Sequence, residues 1–427
     1  MSEKLGNFDY LSIFCEKNSD GTKNLRLKGN ELVRRLNYRI CDNDIARIST
    51  FISVGKNIVK LDLAYNDVTD DGIHILAEVL LGRENNLEHL NLVGCNITHV
   101  GLQMISDKAP MLKLKTLRLT ANNITSKGGP SFENILLHVP TIENLDAGDT
   151  HQTLVSTPYF CSSLRMDIGN NRSLKSLDIS GVIPISCWHF TLPPQLADQM
   201  GELVKMNETL IEMHLQKCNF DGHDMELLLL GLERNTTLRL LDLGHNRINN
   251  YGGEVLSRWL INGPNLLGLN LAGNMIGNIG AKALAKAIPE TKLRLLDLSM
   301  NRIEDELLCK ILHSLKKKYR IRMVFLWGNK FGQASMKIMQ MHLAIGLYEQ
   351  EHVDFKIYEV DGVLYVAKYP GNNYKYRYHC QLEHNEVQEL RITRNIVYSE
   401  YCDYKAKLNF LYYDRIQGDC SNPPECF

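Results

Sequence analysis

One pattern occurs three times in succession: Leu238-x-x-Leu241-x-Leu243-x-x-Asn246-x-Ile248, Leu266-x-x-Leu269-x-Leu271-x-x-Asn274-x-Ile276 and Leu293-x-x-Leu296-x-Leu298-x-x-Asn301-x-Ile303. The copies start 28 and 27 residues apart. Leu-x-Leu has the period of a β-strand, which places both leucines on one side of it. The asparagine amide carries donors and an acceptor, so it can pair with backbone groups where the chain turns out of the strand.

A helical pattern follows each strand pattern. In the second copy, Ala281, Leu284, Ala285 and Ile288 have the spacing i, i+3, i+4, i+7, which is one apolar face of a helix. A single strand–turn–helix unit cannot bury its own apolar side, so such units must stack on one another. The spacing therefore predicts an α/β solenoid in which successive units build a parallel sheet.

Eleven such units are predicted, and seven of their ten start-to-start steps are 27 to 29 residues. Cys95 and Cys218 occupy the asparagine position of their units, which is a structural role. Two middle units are longer, with the excess around 150–164 and 183–199. Insertions of this kind form loops on one face of a solenoid. Pro193-Pro194 is predicted to break a helix and mark a rim loop.

The two ends of the chain lack the repeat pattern. Residues 1–21 are predicted to form an N-terminal cap, residues 22–344 the repeat domain, and residues 345–427 a tyrosine-rich, β-containing C-terminal cap and tail. Twelve of the 18 tyrosines lie between Tyr348 and Tyr413. Asp361-Gly362 favours a tight two-residue turn, and the β-prone residues on both sides predict a hairpin.

The repeats resemble the ribonuclease-inhibitor type of leucine-rich repeat. That resemblance implies a curved α/β horseshoe whose parallel strands line the concave side and whose helices lie outside. A narrower resemblance is to the leucine-rich repeat-containing protein 34 family. This resemblance rests on three stretches: Phe325-Leu-Trp-Gly-Asn329-Lys-Phe331, Tyr358-x-Val360-Asp361-Gly362-Val363-x-Tyr365-x-Ala367 and Lys375-Tyr-Arg-Tyr378. It implies a role in stem-cell and germ-cell maintenance and a link to the nucleolus through nucleophosmin and nucleolin. The chain runs about 45 residues further than that family's pattern, so the extreme C terminus has no expected counterpart.

Net charge and cysteine content limit which partners and which cellular compartment the sequence predicts. The net charge of −1 gives no strong field that would steer the chain to nucleic acid or to a membrane. No run of about 18 apolar residues and no secretory signal pattern occur in the sequence. Eleven scattered cysteines without a C-x-x-C pair favour a reducing compartment. We expect an intracellular monomer in the cytoplasm, the nucleus or both.

The sequence contains no recognisable catalytic, cofactor or metal pattern. It lacks a phosphate-binding loop and a His-Glu-x-x-His motif, and Cys187 with His189 or His379 with Cys380 match no zinc spacing. One basic cluster stands out: Lys316, Lys317, Lys318, Arg320 and Arg322. It is interpreted either as a localisation patch or, preferably, as helix-terminal lysines that complement the helix dipole.

The strand residues that face away from the core are the candidate binding residues. Aspartate or asparagine after the second leucine is common in such repeats, so most of these acids are expected to be solvated rather than functional. The candidates for protein contact are Arg118, Glu212, His214, Phe325 and Trp327 on the concave face, with Trp188 and Phe190 on a rim loop. For the two concave aromatics, cover by the C-terminal hairpin is an equal alternative to a partner.

A non-catalytic protein-binding scaffold is therefore the expected function. One alternative is a GTPase-activating protein, because one family of such proteins is built from the same repeat. Members of that family usually carry a long acidic tail, which this chain lacks. A second is a structural component of cilia or sperm axonemes. An inhibitor of a secreted ribonuclease is the poorest fit, since such inhibitors are far richer in cysteine.

Overall fold

A computed structural model describes residues 8–55, 57–182, 193–316, 321 and 323–369. The chain divides into two compact units. The N-terminal unit consists of Met1–Asn219 and Leu230–Thr237, and the C-terminal unit consists of Phe220–Leu229 and Leu238–Phe427.

Short strands alternate with helices along the described chain. The strands are β1 (Cys15–Lys17), β2 (Lys23–Arg26), β3 (Ile58–Asp62), β4 (His89–Asn91), β5 (Thr116–Arg118), β6 (Asn144–Asp146), β7 (Ser176–Asp178), β8 (Glu212–His214), β9 (Leu240–Asp242), β10 (Gly268–Asn270), β11 (Leu295–Asp297), β12 (Met323–Phe325), β13 (Phe355–Val360) and β14 (Val363–Lys368). The α-helices are α1 (Phe8–Ser12), α2 (Gly29–Leu36), α3 (Asp42–Val54), α4 (Asp70–Leu76), α5 (His99–Ser106), α6 (Gly129–His138), α7 (Thr157–Leu164), α8 (Pro193–Met206), α9 (Asp224–Leu232), α10 (Asn249–Ile261), α11 (Asn278–Ala287), α12 (Asp305–Lys316) and α13 (Gln333–Ala344).

Parallel pairing of consecutive strands builds the sheet in each unit. In the N-terminal unit β2 to β8 pair in sequence order, and β1, which lies within the predicted N-terminal cap, pairs antiparallel with β2. In the C-terminal unit β9 to β12 pair in the same way. Within the described residues, each of the eleven predicted units contributes one strand, β2 to β12. The predicted α/β repeat fold is therefore confirmed.

The helices bury the faces that their spacing predicts. On α4 and the helical turn after it, Ile73, Leu76, Ala77 and Leu80 are all buried. One local prediction is wrong: Pro193-Pro194 does not break a helix but begins α8. A proline is favourable in the first turn of a helix, where its missing N–H would have no intrahelical partner. The first insertion likewise contains a helix, α7.

Asparagine side chains close the turn after the strand, as predicted. Asn301 donates from Nδ2 to the carbonyls of Leu271 and Leu298 at 2.9 and 3.0 Å, and its Oδ1 accepts from the amides of Asn274 and Ile276 at 3.0 Å each. Where cysteine replaces asparagine, the thiol takes part of this role: Cys95 Sγ lies 3.4 Å from the carbonyl oxygen of Leu63. Because these groups are buried, each bond removes an unpaired polar atom from the interior.

The predicted hairpin is confirmed. Strands β13 and β14 pair antiparallel around Asp361 and Gly362, whose φ angles of 53° and 76° are those of a tight two-residue turn. The hairpin packs on α13, because Gln333 exchanges hydrogen bonds of 2.9 and 3.1 Å with the backbone of Leu364. Phe355 is fully buried at the start of β13 and lies against Phe331, with 5.0 Å between ring centroids.

Candidate protein-binding surface

The side of each sheet that faces away from the repeat core carries two rows of side chains. Strand register defines both rows, since neighbouring strands pair residue for residue and successive side chains point to opposite sides. The first row is Lys60, His89, Thr116, Asn144, Ser176 and Glu212 in the N-terminal unit and Leu240, Gly268, Leu295 and Met323 in the C-terminal unit. The second row is Asp62, Asn91, Arg118, Asp146, Asp178 and His214, and then Asp242, Asn270, Asp297 and Phe325. We call these the first row and the second row of the strand face.

Most acidic and amide side chains of the second row are turn-forming groups. Asp297 accepts from the amide of Ser299, two residues on, at 2.8 Å, and Asp178 accepts from Ser180 in the same way at 2.8 Å. This local bond ends the strand and starts the turn. Asp62, Asp146, Asp242 and Asp297 are buried. The expectation that these acids are solvated is therefore wrong for these four, although their structural role agrees with the preference for aspartate at this position.

Arg118 interrupts the row of turn-forming side chains. It is 5% exposed, and its Nε lies 3.2 Å from the Asp146 carboxylate on the next strand. Asp146 also accepts a hydrogen bond from the Thr120 hydroxyl. Removing one member of a buried ion pair leaves the other charge without its counter-ion, so Arg118 contributes to the integrity of the sheet. Any contact with a partner has to be compatible with this pair.

Glu212 and His214 lie at the two ends of β8, on the first and second row. Both are buried, with 1% and 2% exposed. His214 is in register with Asp178, which in turn is in register with Asp146. Desolvation of its carboxylate, reinforced by the negative charge of Asp146, raises the pKa of Asp178 to about 6, and His214 acts in the opposite direction. This part of the strand face therefore holds a carboxyl group that changes charge near neutral pH.

Phe325 and Trp327 lie at the last strand, where the carboxylate of Asp354 replaces the next repeat. The Asp354 carboxylate accepts from the amide of Leu326 at 2.8 Å and from that of Trp327 at 3.1 Å. In the preceding unit the amide of Leu298, which corresponds to that of Leu326, donates to the carbonyl of Phe325 on the following strand, and the amide of Ser299, which corresponds to that of Trp327, donates to the carboxylate of Asp297. Burial raises the pKa of Asp354 to about 7. Phe325 is 1% exposed, whereas Trp327 is half-buried.

The first row becomes apolar in the C-terminal unit. Leu240, Leu295, Met323 and Phe325 pack together as a buried cluster, with Leu267 at its edge. This cluster lies across the sheet from the core residues that follow the first row, such as Leu241 and Leu296. The sequence pattern indicates Phe325 as a concave-face candidate but does not indicate the leucines. The signal was present as Leu240-Leu241 and Leu295-Leu296, where a second apolar residue breaks the alternation of the strand.

Some candidates lie outside the described residues. These are Trp188 and Phe190 of the rim loop and Lys317, Lys318, Arg320 and Arg322 of the basic cluster. Lys316 is the last residue of α12. Among the residues that the structure describes, no group of three or more histidine, cysteine, aspartate or glutamate side chains is arranged to hold a metal ion. None of the helices in the described part combines the length and the hydropathy needed to cross a bilayer.

The fold and the strand face define a leucine-rich-repeat protein. A family model described as leucine-rich repeat matches six stretches of the chain: residues 56–74, 84–106, 111–132, 234–257, 264–285 and 291–306. Each stretch contains the strand and the turn of one unit described above and at least the start of its helix. The chain is thus built of leucine-rich repeats, a class whose members generally serve as interaction scaffolds.

Individual relatives include a ribonuclease inhibitor and two other leucine-rich-repeat proteins. The chain is 28% identical to NACHT, LRR and PYD domains-containing protein 14 of Mus musculus over 71% of its own length and 30% of that protein. It is 28% identical to leucine-rich repeat-containing protein 34 of Rattus norvegicus, over 40% of this chain and 41% of that protein. It is 26% identical to ribonuclease inhibitor of Sus scrofa, over 65% and 66% of the two chains. Both resemblances inferred from the sequence are thereby confirmed, and the chain spans under a third of the first of these relatives.

Proposed function

We propose that the chain is a non-catalytic scaffold that binds a protein partner through the strand face of its repeats. One observation carries the proposal: the apolar cluster of Leu240, Leu295, Met323 and Phe325 on the side of the sheet away from the repeat core. A repeat needs no apolar side chains on that side to fold, since its own core is already complete. Apolar side chains clustered outside the main core are typical of the centre of a protein interface.

The strand face of each unit has partly buried residues. Lys60 and His89 of the first row and Trp327 beside β12 are only partly buried, so a partner can reach them without disrupting the fold. Arg118, Glu212, His214 and Phe325 are buried. They are proposed only as secondary contacts, since 5% or less of each residue is exposed.

Recovery of binding partners with matched variants tests this proposal. Tagged full-length chain is expressed in cells of its own source, and co-purifying proteins are quantified by mass spectrometry. Lys60→Glu and Trp327→Ala are the strand-face variants, and Lys282→Glu and Ile279→Ala on α11 are matched helix-face controls. We expect a specific partner to fall about fivefold or more with the strand-face variants only. Equal recovery with all four variants would mean that the strand face is not the binding surface.

For the cellular setting we propose a nuclear or nucleolar protein in stem or germ cells. Support comes from the resemblance to leucine-rich repeat-containing protein 34 and from the basic cluster that begins at Lys316. A fluorescent fusion of the full chain is expected to be nuclear, and Lys317→Gln with Lys318→Gln is expected to shift it to the cytoplasm. A cytoplasmic wild-type fusion would contradict this setting while leaving the binding function open to its own test.

A further inference from the structure

The turns that follow the strands of the C-terminal unit carry cations at one repeat position. This position comes directly after the asparagine position, and we call its four residues the edge row: Arg247, Met275, Arg302 and Lys330. The amides of Arg247 and Arg302 donate to carbonyls of the preceding repeat at 2.7 and 2.8 Å, so the stacking of repeats fixes the row. The corresponding residues that the structure describes in the N-terminal unit include no lysine or arginine; they are Glu31, Asp67, Asn96, Asn123, His151 and Asn219.

Two cations of the edge row have no counter-ion. Arg247 and Arg302 are exposed, and in the described part of the chain neither guanidinium forms an ion pair. Asp221, which forms a backbone bridge with Arg247, instead accepts from the amides two and three residues further on, at 2.8 and 3.1 Å. Glu304 pairs with Lys330 at 3.0 Å and offsets the third cation. The edge row therefore keeps two positive charges that are available to a carboxylate from outside.

Two methionines in the same turns hold a backbone conformation that disfavours a side chain. Met275 and Met300 have φ angles of 57° and 56°. Gly273 and Gly328, at the position of Met300 in the neighbouring units, have φ angles of 64° and 84° and lack the Cβ that this conformation disfavours. Met300 is nevertheless 54% exposed, and its thioether lies against Gly328, where an added Cβ would collide with it. An exposed, bulky side chain in a strained turn does not help folding, which indicates a role in binding.

The spacing of the edge row limits what it can bind. Neighbouring strands are about 4.8 Å apart, so Arg247 and Arg302, two repeats apart, are separated by about 10 Å along the stack. Met275 lies in the intervening repeat, and Met300 lies beside Trp327, because its amide donates to the Trp327 carbonyl at 2.6 Å. Flexible thioether side chains adapt to apolar groups of different shape. A segment that matches this surface carries two carboxylates at the spacing of the arginines and an apolar side chain between them.

We propose that the edge row binds an acidic segment of the protein partner, with carboxylates on Arg247 and Arg302 and an apolar side chain on Met275 and Met300. This inference rests on the proposed function, because it names the chemistry of one part of the partner that occupies the strand face. A nucleic acid fits the row less well, since its affinity comes from many cations on consecutive phosphates and methionines separate these two arginines.

Binding of defined peptides to the full-length chain tests this chemistry. The probe is a fluorescein-labelled peptide that repeats Glu-Glu-Leu four times, and its binding is followed by fluorescence polarisation. Peptides that repeat Ser-Ser-Leu or Lys-Lys-Leu are the charge controls. We expect the acidic peptide to bind at least about tenfold more tightly than either control. Equal binding of the acidic peptide and the serine peptide would overturn the proposal.

Matched charge reversals assign the binding to the edge row. Arg247→Glu with Arg302→Glu is expected to weaken binding of the acidic peptide by about tenfold or more. Arg34→Glu with Arg35→Glu reverses two exposed arginines on α2 and is expected to change it by less than about twofold. Equal losses with the two pairs would overturn the proposal in favour of non-specific attraction. An oligouridine RNA that binds through Arg247 and Arg302 more tightly than the acidic peptide would overturn it in favour of a nucleic acid.

Met300→Gly separates a binding role from a structural role. Glycine tolerates the left-handed backbone, so this variant should melt close to the wild type. We expect it to weaken binding of the acidic peptide by about threefold, because an apolar contact is lost. Unchanged binding, or a loss of binding that is matched by a lower melting temperature, would overturn the assignment of Met300 as a contact.

The peptide probe requires no cellular partner, so failure of this inference can be told apart from failure of the proposed function. If the acidic peptide binds through Arg247 and Arg302 but partner recovery ignores the strand-face variants, the edge row binds acidic segments and the strand-face function is wrong. If partner recovery depends on the strand face but the acidic peptide does not bind the edge row, the proposed function stands and this inference is wrong.

Discussion

The two units carry different side chains at the same strand position. In the first row, the N-terminal unit has Lys60, His89, Thr116, Asn144, Ser176 and Glu212, all polar, whereas the C-terminal unit has Leu240, Gly268, Leu295 and Met323, all apolar or without a side chain. Both units build the same strand and the same turn. The comparison shows that the repeat fold places no demand on this row, so its composition reflects what the row contacts.

The largest expected effect compares the first row of the two units by substitution with the same residue. Leu295→Asn in the C-terminal unit should lower the free energy of unfolding by about 3 kcal/mol, because it removes apolar burial and buries an amide. Ser176→Asn in the N-terminal unit should cost about 1 kcal/mol or less, since that position already lies among polar groups. Urea unfolding followed by circular dichroism measures both. Equal losses would mean that the first row does not differ physically between the two units.

The shared turn should respond alike in both units. Asn246 donates to the carbonyl of Leu243 at 2.9 Å and accepts from the amide of Phe220 at 3.2 Å, and Asn122 donates to Leu92 and Leu119 at 2.8 Å each. Asn246→Ala and Asn122→Ala should each lower stability by about 2 kcal/mol, because buried backbone groups lose their partners. Thermal melting of the two variants is the measurement. A shift in melting temperature of less than a degree or two for either variant would show that the asparagine does not pair with the buried backbone groups of its turn.

The pH dependence of stability should also differ between the units. The folded-state pKa is about 7 for Asp354 and about 6 for Asp178, against about 4 in an unfolded chain. The folded state therefore binds more protons than the unfolded state between these values. Stability falls as pH rises through 6 for Asp178 and through 7 for Asp354.

Unfolding of the wild type at a series of pH values measures this effect. Between pH 5.5 and 8 the Asp354 contribution should be about 1–2 kcal/mol, and Asp354→Asn should remove it. Asp178→Asn should remove the part of the fall that lies between about pH 4 and about pH 6, so the series has to extend down to pH 4. Stability that is flat over this range in the wild type would contradict both assignments.

The smallest expected effect concerns the residue before the asparagine position. Gly273 has a φ of 64°, and an added Cβ would lie 2.6 Å from Nδ1 of His245 in the preceding repeat. In the N-terminal unit, Ala121 holds the same conformation at 59° with a side chain present. Gly273→Ala should cost about 1 kcal/mol, and Ala121→Gly should change stability by about 0.5 kcal/mol or less. Melting temperatures compare them, and a larger cost for Ala121→Gly would reverse this interpretation.

The repeat spacing was sufficient to predict the strands, the turn asparagines and the hairpin at Asp361-Gly362, because each is set by a local pattern. Contacts between repeats were harder to predict. The pairing of Arg118 with Asp146 depends on strand register across 28 residues, so the sequence indicates Arg118 only as a concave-face candidate and not as half of an ion pair. Asp354 was missed because it lies outside any repeat and replaces a strand with a single carboxylate. Leu240 and Leu295 were missed because apolar residues in a leucine-rich chain are readily assigned to the core.

Photocrosslinking from the strand face in cells tests the central claim most directly. The full-length chain carries p-benzoylphenylalanine at Trp327, which is half-buried beside β12, or at Ile279, which is exposed on α11. If the strand face binds a protein, position 327 yields a discrete adduct with another polypeptide and position 279 does not. An adduct from position 279 alone, or the same adduct from both positions, would contradict the assignment of the strand face as the binding surface.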